Sequence, residues 1–251
     1  MAAIPRAYVD DFTRAINRIS ERARAGLADV LASIDMAQPV EDVRNQVIAA
    51  MQVWCGGATD LTAQLAAEFY DGLREYELGQ RMGAVASSGR KPAATDGAVR
   101  AFAEKLVEGK PDEFVTLCLE RLDYEVKVAA NNTVLNNGRR DSRRPRYARV
   151  PDGSDTCDFC LMLASRGFVY RDAVAASHAH ANCDCRTVPS WKAYTVQGYD
   201  LQAIYERWQA QVDAMAAERA ERNGTTEAEE RKKIIATYER AASNAKKRNR
   251  R

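Results

Sequence analysis

Histidine is nearly missing from this chain: two residues among 251, His178 and His180. Ser-His catalysis needs an imidazole able to take a proton, and only one short stretch could supply it. No G-x-S-x-G is present. No apolar run reaches the ~18 residues of a membrane span. The start, M-A-A-I-P-R-A-Y-V-D-D, lacks the apolar centre of a signal peptide, so the chain is expected to be made and kept in a cytoplasm, at least at first. Neither sign of charge is in excess: 37 Lys and Arg against 35 Asp and Glu leave a net +2, so only local charge can argue for an acidic partner. Cysteine is sparse as well, at six residues.

What is there is concentrated. Four of the six cysteines and both histidines fall in the 29 residues from Cys157 to Cys185. Cys157 and Cys160 form a C-x-x-C, which turns two thiolates toward one point. His180 and Cys183 form an H-x-x-C, with Cys185 one residue further and His178 just before. Thiolates and imidazole in two close pairs are what tetrahedral zinc takes. Five residues compete for four places: Cys157, Cys160, His180 and Cys183 form the first choice, with Cys185 as the alternative fourth ligand. Disulfides are the main rival, followed by a C-x-x-C redox site, although no βαβ pattern surrounds it. Cys55 and Cys118 read differently. Cys118 sits among Phe114, Leu117 and Leu119 on an apolar helix face and is expected to be a small buried hydrophobe.

The residue pattern predicts an α+β, mainly helical chain, with long helices and a small antiparallel sheet carrying the knuckle. Steps of three and four from Ile4 to Ile34 mark a long amphipathic helix, with Phe12 and Ile16 on the stripe that meets the second helix or another chain. A second run opens at Pro39 and is expected to break at Cys55-Gly56-Gly57, with Asp60 capping a third. Gly79 to Pro92 reads as a linker. A short helix near Asp96 to Glu108 and a long one from Pro111 follow, with Asn136-Asn137-Gly138 as terminator. Tyr147–Pro151, Gly167–Tyr170 and Arg186–Trp191 are expected strands. Two helices then close the chain, the last capped by Thr226, before a basic tail from Ala245 that is expected to be mobile. The regions expected are 1–91 (helical), 92–195 (the domain with the knuckle at 157–185) and 196–251 (a helical extension with the basic tail).

Local charge singles out two places. Arg139, Arg140, Arg143, Arg144, Arg146 and Arg149 crowd one run with one aspartate, while Lys246, Lys247, Arg248, Arg250 and Arg251 crowd the tail. Both are candidate contacts to a phosphate backbone, held without sequence preference. The bland alternative is that they only keep a loop and a tail solvated.

The series C-x-x-C, H-x-x-C-x-C and then Val188-Pro189 resembles the signature closing the Mu F-like domain of phage minor head proteins, also called head morphogenesis proteins. The wording C-D-F-C-L-M-L-A-S-R-G-F-V-Y with C-D-C-R-T-V-P-S-W is similar to versions from phages of actinobacteria. Glu125, Ala129, Ala130 and Asn132 match the approach to that motif, and the resemblance spans roughly Leu106 to Trp191. It implies a structural protein of the phage head, incorporated near the portal during procapsid assembly. Portal and major capsid or scaffolding proteins would be its partners, with non-specific double-stranded DNA and no membrane. Zinc would be its structural cofactor. With both histidines inside the cluster and no G-x-S-x-G, no catalytic residue is expected; a capsid maturation protease and a zinc-module nucleic-acid binder are the alternatives. Asp184 departs from the arginine that many such sequences carry between the last two cysteines.

Overall fold

The computed structural model describes residues 2–152, 156–171 and 185–248. Three long helices form its framework: α1 (Arg6–Ala32), α2 (Val40–Leu78) and α5 (Pro111–Arg140). Two short helices, α3 (Pro92–Phe102) and α4 (Glu104–Val107), lie between the last two. On α1 the predicted stripe is buried at Phe12, Ile16, Ala23 and Leu27, whereas Tyr8 and Val30, also on it, are exposed and Val9 and Leu31 are buried in their place. Phe12 stacks on Phe69 of α2, ring centroids 4.0 Å apart, so the second helix is its partner. Near the other end of α1 the Trp54 ring lies so close to Gly26 that an added Cβ would sit 2.1 Å from it. Those two contacts make α1 and α2 antiparallel neighbours.

The structure differs from the predicted elements at three places. First, α2 runs unbroken through Gly56-Gly57. Two glycines cost about 1 kcal/mol each relative to alanine in a helix, but Cys55, Ala58, Thr59 and Thr62 are buried on the face that packs. Tertiary burial outweighs the local preference. Second, Asn136-Asn137-Gly138 does not end α5, which continues to Arg140. Asn137 donates to the carbonyl of Thr133 at 2.8 Å inside the helix and to Val85 O at 2.9 Å outside it. Third, the glycine- and serine-rich stretch after α2 is strapped down. Asp71 accepts from the amides of Met82 and Ala84, Asn137 Oδ1 accepts from that of Val85, and Asn132 donates to Ser88 O. Buried Glu125 completes the strap, accepting from Thr95, Arg90 and Arg121.

Beyond α5 come β1 (Arg146–Val150) and β2 (Arg186–Ser190), antiparallel, with Arg149 opposite Thr187 and Val150 opposite Arg186. The third expected strand is a single bridge between Tyr170 and Tyr147. Val169 N bonds back to Gly167 O at 2.9 Å, so this stretch turns where a strand would extend. The helix α6 (Asp158–Ala164) follows β1; α7 (Leu201–Asn223) and α8 (Glu227–Arg248) follow β2. Thr226 caps α8 as predicted, its hydroxyl accepting from Glu229 N while Glu229 accepts from Thr226 N. The last helix continues to Arg248, where the sequence suggested a mobile tail.

The chain is thus mainly helical with a small two-stranded antiparallel sheet. One buried apolar cluster runs from Ile4 to Ile234 and crosses the stretches where the sequence reading places boundaries. Glu77 of α2 ties the sheet to the helices, accepting from Ser190 Oγ and the amides of Trp191, Lys192 and Ala193. Among the described residues no helix is long and apolar enough to cross a membrane.

Candidate metal centre

Short elements bring the sulfurs together. With Arg149 opposite Thr187, the two-residue period of a strand puts Cys185 on the same face as Arg149, diagonally across the pair. Cys157 occupies the N-cap of α6 and Cys160 its first turn. N-cap and third helical position lie on one side of a starting helix, as capping boxes use, and the C-x-x-C spacing matches it. Cys160 and Cys185 are buried against each other, and partly buried Cys157 packs on them.

Arg149 is fully enclosed here, and this corrects its reading as a solvent-facing DNA contact. Its Nη2 donates to Cys185 Sγ at 2.6 Å and to Cys160 Sγ at 3.5 Å. A guanidinium cannot shed its proton, so once buried it must face electron-rich or anionic partners. Two sulfurs fill that role. Tyr199 holds the arginine's backbone, its hydroxyl shared between the carbonyls of Arg149 and Ala164, and burial pushes its ionisation far above the usual tyrosine range. Tyr170 donates to Leu163 O at 2.9 Å, and burial pushes its hydroxyl up to about 12. From α8, Tyr238 donates to Asp158 Oδ2 at 3.2 Å, linking the last helix to α6.

The donor chemistry fits a soft divalent ion. Thiolates bound to zinc carry negative charge, which a buried guanidinium would balance while orienting the sulfurs. The described part of the site is incomplete in itself: among the described residues no three His, Cys, Asp or Glu side chains are placed to hold an ion. The other candidates, His178, His180 and Cys183, lie outside the described residues. Among the described residues no disulfide joins two cysteines. Cys55 and Cys118 are buried in the framework, and burial pushes each thiol up to about 12, as befits small hydrophobes.

The basic run divides. Arg139 and Arg140 end α5, and with Arg143, Arg144 and Arg146 they are exposed. Arg146 lies over the Tyr194 ring at 5.3 Å. Lys246, Lys247 and Arg248 fall in the final turns of α8, while Arg250 and Arg251 lie outside the described residues. The one acid of the run, Asp141, anchors it. Its carboxylate accepts from Tyr70 Oη at 3.0 Å, Arg74 Nε at 2.9 Å, Trp191 Nε1 at 3.1 Å and Arg143 N at 2.9 Å. Burial alone would raise its pKa; the bonds from Arg74, Arg143 and Tyr70 outweigh that and hold it below the usual range. Asp141, Glu77 and Tyr199 were not singled out from the sequence. For Arg149 a signal existed, since the strand expected at Tyr147–Pro151 already contained it.

A family model described as VG15 protein matches residues 3–211. The chain belongs to the VG15 family. That family is phage-associated. The match takes in the framework helices, the basic turn and the whole Cys157–Cys185 stretch, and it ends within α7. Helix α8 lies beyond it. No curated protein and no solved structure matches the chain.

Proposed function

We propose that this VG15 chain is a minor head protein of a tailed phage, of the Mu F-like kind. It is assembled near the portal in the host cytoplasm and retained inside the virion. The observation that carries the reading is the sulfur cluster: Cys160 and Cys185 buried together with Cys157 beside them, braced by Arg149. These are residues on which the Mu F-like resemblance rests, and they sit in a chain whose family is phage-associated.

In this reading Cys157 and Cys160 hold zinc from one side, and His180 with Cys183 or Cys185 from the other. Bound there, zinc would cross-link the start of α6 to the segment before β2 and add its binding free energy to the folding of that region. Arg149 balances the thiolate charge and fixes the sulfurs' orientation. Tyr199 and Tyr170 hold the backbone on either side. A site closed by four protein ligands leaves no place for water or substrate, which makes it structural. The helical framework then meets portal, major capsid or scaffolding protein, and the exposed arginines from Arg139 to Arg146 meet double-stranded DNA.

Purified particles test the assignment. Mass spectrometry is expected to find the chain uncleaved in mature heads, and the isolated protein is expected to leave the coat precursor intact. Cleavage of that precursor would assign the protease instead. Metal analysis of freshly purified, reduced protein is expected to give about one zinc per chain; none would remove the zinc part of the reading.

A further inference from the structure

Beside the anchored basic turn lies a cavity of about 390 Å³, separate from the sulfur cluster. Leu135, Gly138, Pro145 and Tyr147 form its wall, and Arg139, Arg144 and Arg171 line it from three different segments. All three arginines are exposed, and none has an ion-pair partner among the described residues; Arg139 donates only to Asn136 Oδ1, at 3.3 Å. Several arginines elsewhere are held by acids, as Arg6, Arg74, Arg90, Arg121 and Arg231 are. Here three like charges share one cavity, and no carboxylate among the described residues lines it.

Their positions are fixed by the fold. Arg144 has φ +45°, in the left-handed region that a non-glycine residue enters only when its surroundings require it. Its amide bonds to Asp141 O at 3.1 Å, and Asp141 is held by Tyr70, Arg74 and Trp191. Arg171 follows Tyr170, whose backbone exchanges two hydrogen bonds with Tyr147. Tyr147 lies on Gly138, where a Cβ would be 1.5 Å from its hydroxyl. A wall held in place by these backbone contacts and lined by three arginines suits a tetrahedral oxyanion, which arginine binds through paired N–H donors.

We infer that this cavity takes one phosphate group, from a phosphodiester backbone or as free phosphate. The inference rests on the proposed DNA contact only for the source of that phosphate. It separates this site from loosely solvated arginines by number. Three arginines on one phosphate displace the counterions of one phosphate, whereas three independent contacts displace three. The slope of log affinity against log salt is about −0.9 per phosphate neutralised on duplex DNA.

The full chain and the variant Arg139→Ala/Arg144→Gly/Arg171→Ala test it, glycine being chosen at 144 because it accepts the positive φ. Two probes are used, inorganic phosphate by calorimetry and a 20-base-pair duplex of arbitrary sequence across a salt series. Circular dichroism of the variant is expected to be unchanged. Phosphate binding is expected in the parent and lost in the variant, and the duplex slope is expected to fall by about 0.9. A fall near three times that value, or an unchanged slope with unchanged phosphate binding, overturns the shared site while leaving a DNA contact in place. Phosphate bound only by the parent, with no duplex binding at low salt, supports the cavity for free phosphate and removes the DNA reading.

Discussion

The framework of α1, α2 and α5 and the proposed knuckle region around β1, α6 and β2 bury the same residue type in different surroundings. Cys55 and Cys118 sit buried in the framework, and burial is the main cause of their raised thiols, with the Glu125 carboxylate adding to it at Cys55. Cys160 and Cys185 are as deeply buried, yet each touches the guanidinium of Arg149. The framework is held by long apolar stripes, and its cysteines could be replaced by other small hydrophobes. The knuckle region has a five-residue strand pair, a seven-residue helix and a charge at its centre. Its apolar residues, Val150, Leu161, Leu163 and Val188 among them, belong to the same buried cluster as those of the framework, so what sets this region apart is the enclosed guanidinium and not a smaller core.

Serine substitution separates the two kinds of cysteine most sharply. Cys160→Ser is expected to abolish zinc binding and to lower the stability of the Tyr147–Trp191 region by several kcal/mol, roughly 5 or more. Cys118→Ser, which places a hydroxyl in an apolar site, is expected to cost only about 1–3 kcal/mol and to leave metal content alone. Metal analysis and thermal melting of both proteins check the pair. Equal losses, with no metal in the parent, would erase the distinction.

Asp141 joins the two regions, and breaking it is expected to cost nearly as much. Asp141→Asn leaves the guanidinium of Arg74 buried without its charge partner, a change worth about 3–5 kcal/mol. The same carboxylate makes stability depend on acid. Its folded pKa lies below the unfolded value of ~3.9, so its contribution is complete above that pH and is lost as pH falls through the folded value. In urea titrations of both proteins at pH 6 and pH 3, the gap between them is expected to narrow at the lower pH. A variant as acid-sensitive as the parent would place the sensitivity elsewhere.

The framework was more legible in the sequence than the knuckle for a related reason. A stripe such as Phe12, Ile16, Ala23 and Leu27 repeats with the helix period, and repetition survives a few misleading residues. Isolated signals did not survive. Gly56-Gly57 and Asn136-Asn137-Gly138 carry breaker chemistry, yet each lies on a helix whose flanking residues are buried by partners far away in the chain. Gly79 to Pro92 lacks periodicity because its order comes from single bonds to Asp71, Asn132 and Asn137. Arg149 belongs to a run of arginines alike in one dimension. Only the strand pairing with β2 turns it inward while Arg146 stays outside.

Gly138 measures how tightly the two regions fit where they meet. A methyl group there would sit 1.5 Å from Tyr147 Oη, so either the start of β1 or the end of α5 must shift. Gly138→Ala is expected to cost about 1–3 kcal/mol as an overpacked contact. Adding Tyr147→Phe, which removes the clashing oxygen, is expected to recover part of that loss. A double variant no better than the sum of the single changes would show that the hydroxyl is not what the glycine accommodates.

The smallest expected effect concerns the helix beyond the VG15 match. Thr226 and Glu229 cap α8 reciprocally, and Thr226→Ala removes one half of that exchange. Caps of this kind are worth about 1 kcal/mol. The loss should not stay local if α8 supports the knuckle, because Tyr238 both donates to Asp158 and meets Phe159 edge-on, with centroids 6.0 Å apart. Burial holds that hydroxyl up to about 12, so it remains a neutral donor at ordinary pH. Hydrogen exchange in Thr226→Ala is therefore expected to quicken in the first turns of α8 and, by a smaller factor, in α6, with α1 and α2 unchanged. Faster exchange confined to α8 would make it an appendage, and the knuckle would then stand on β1, β2 and α7 alone.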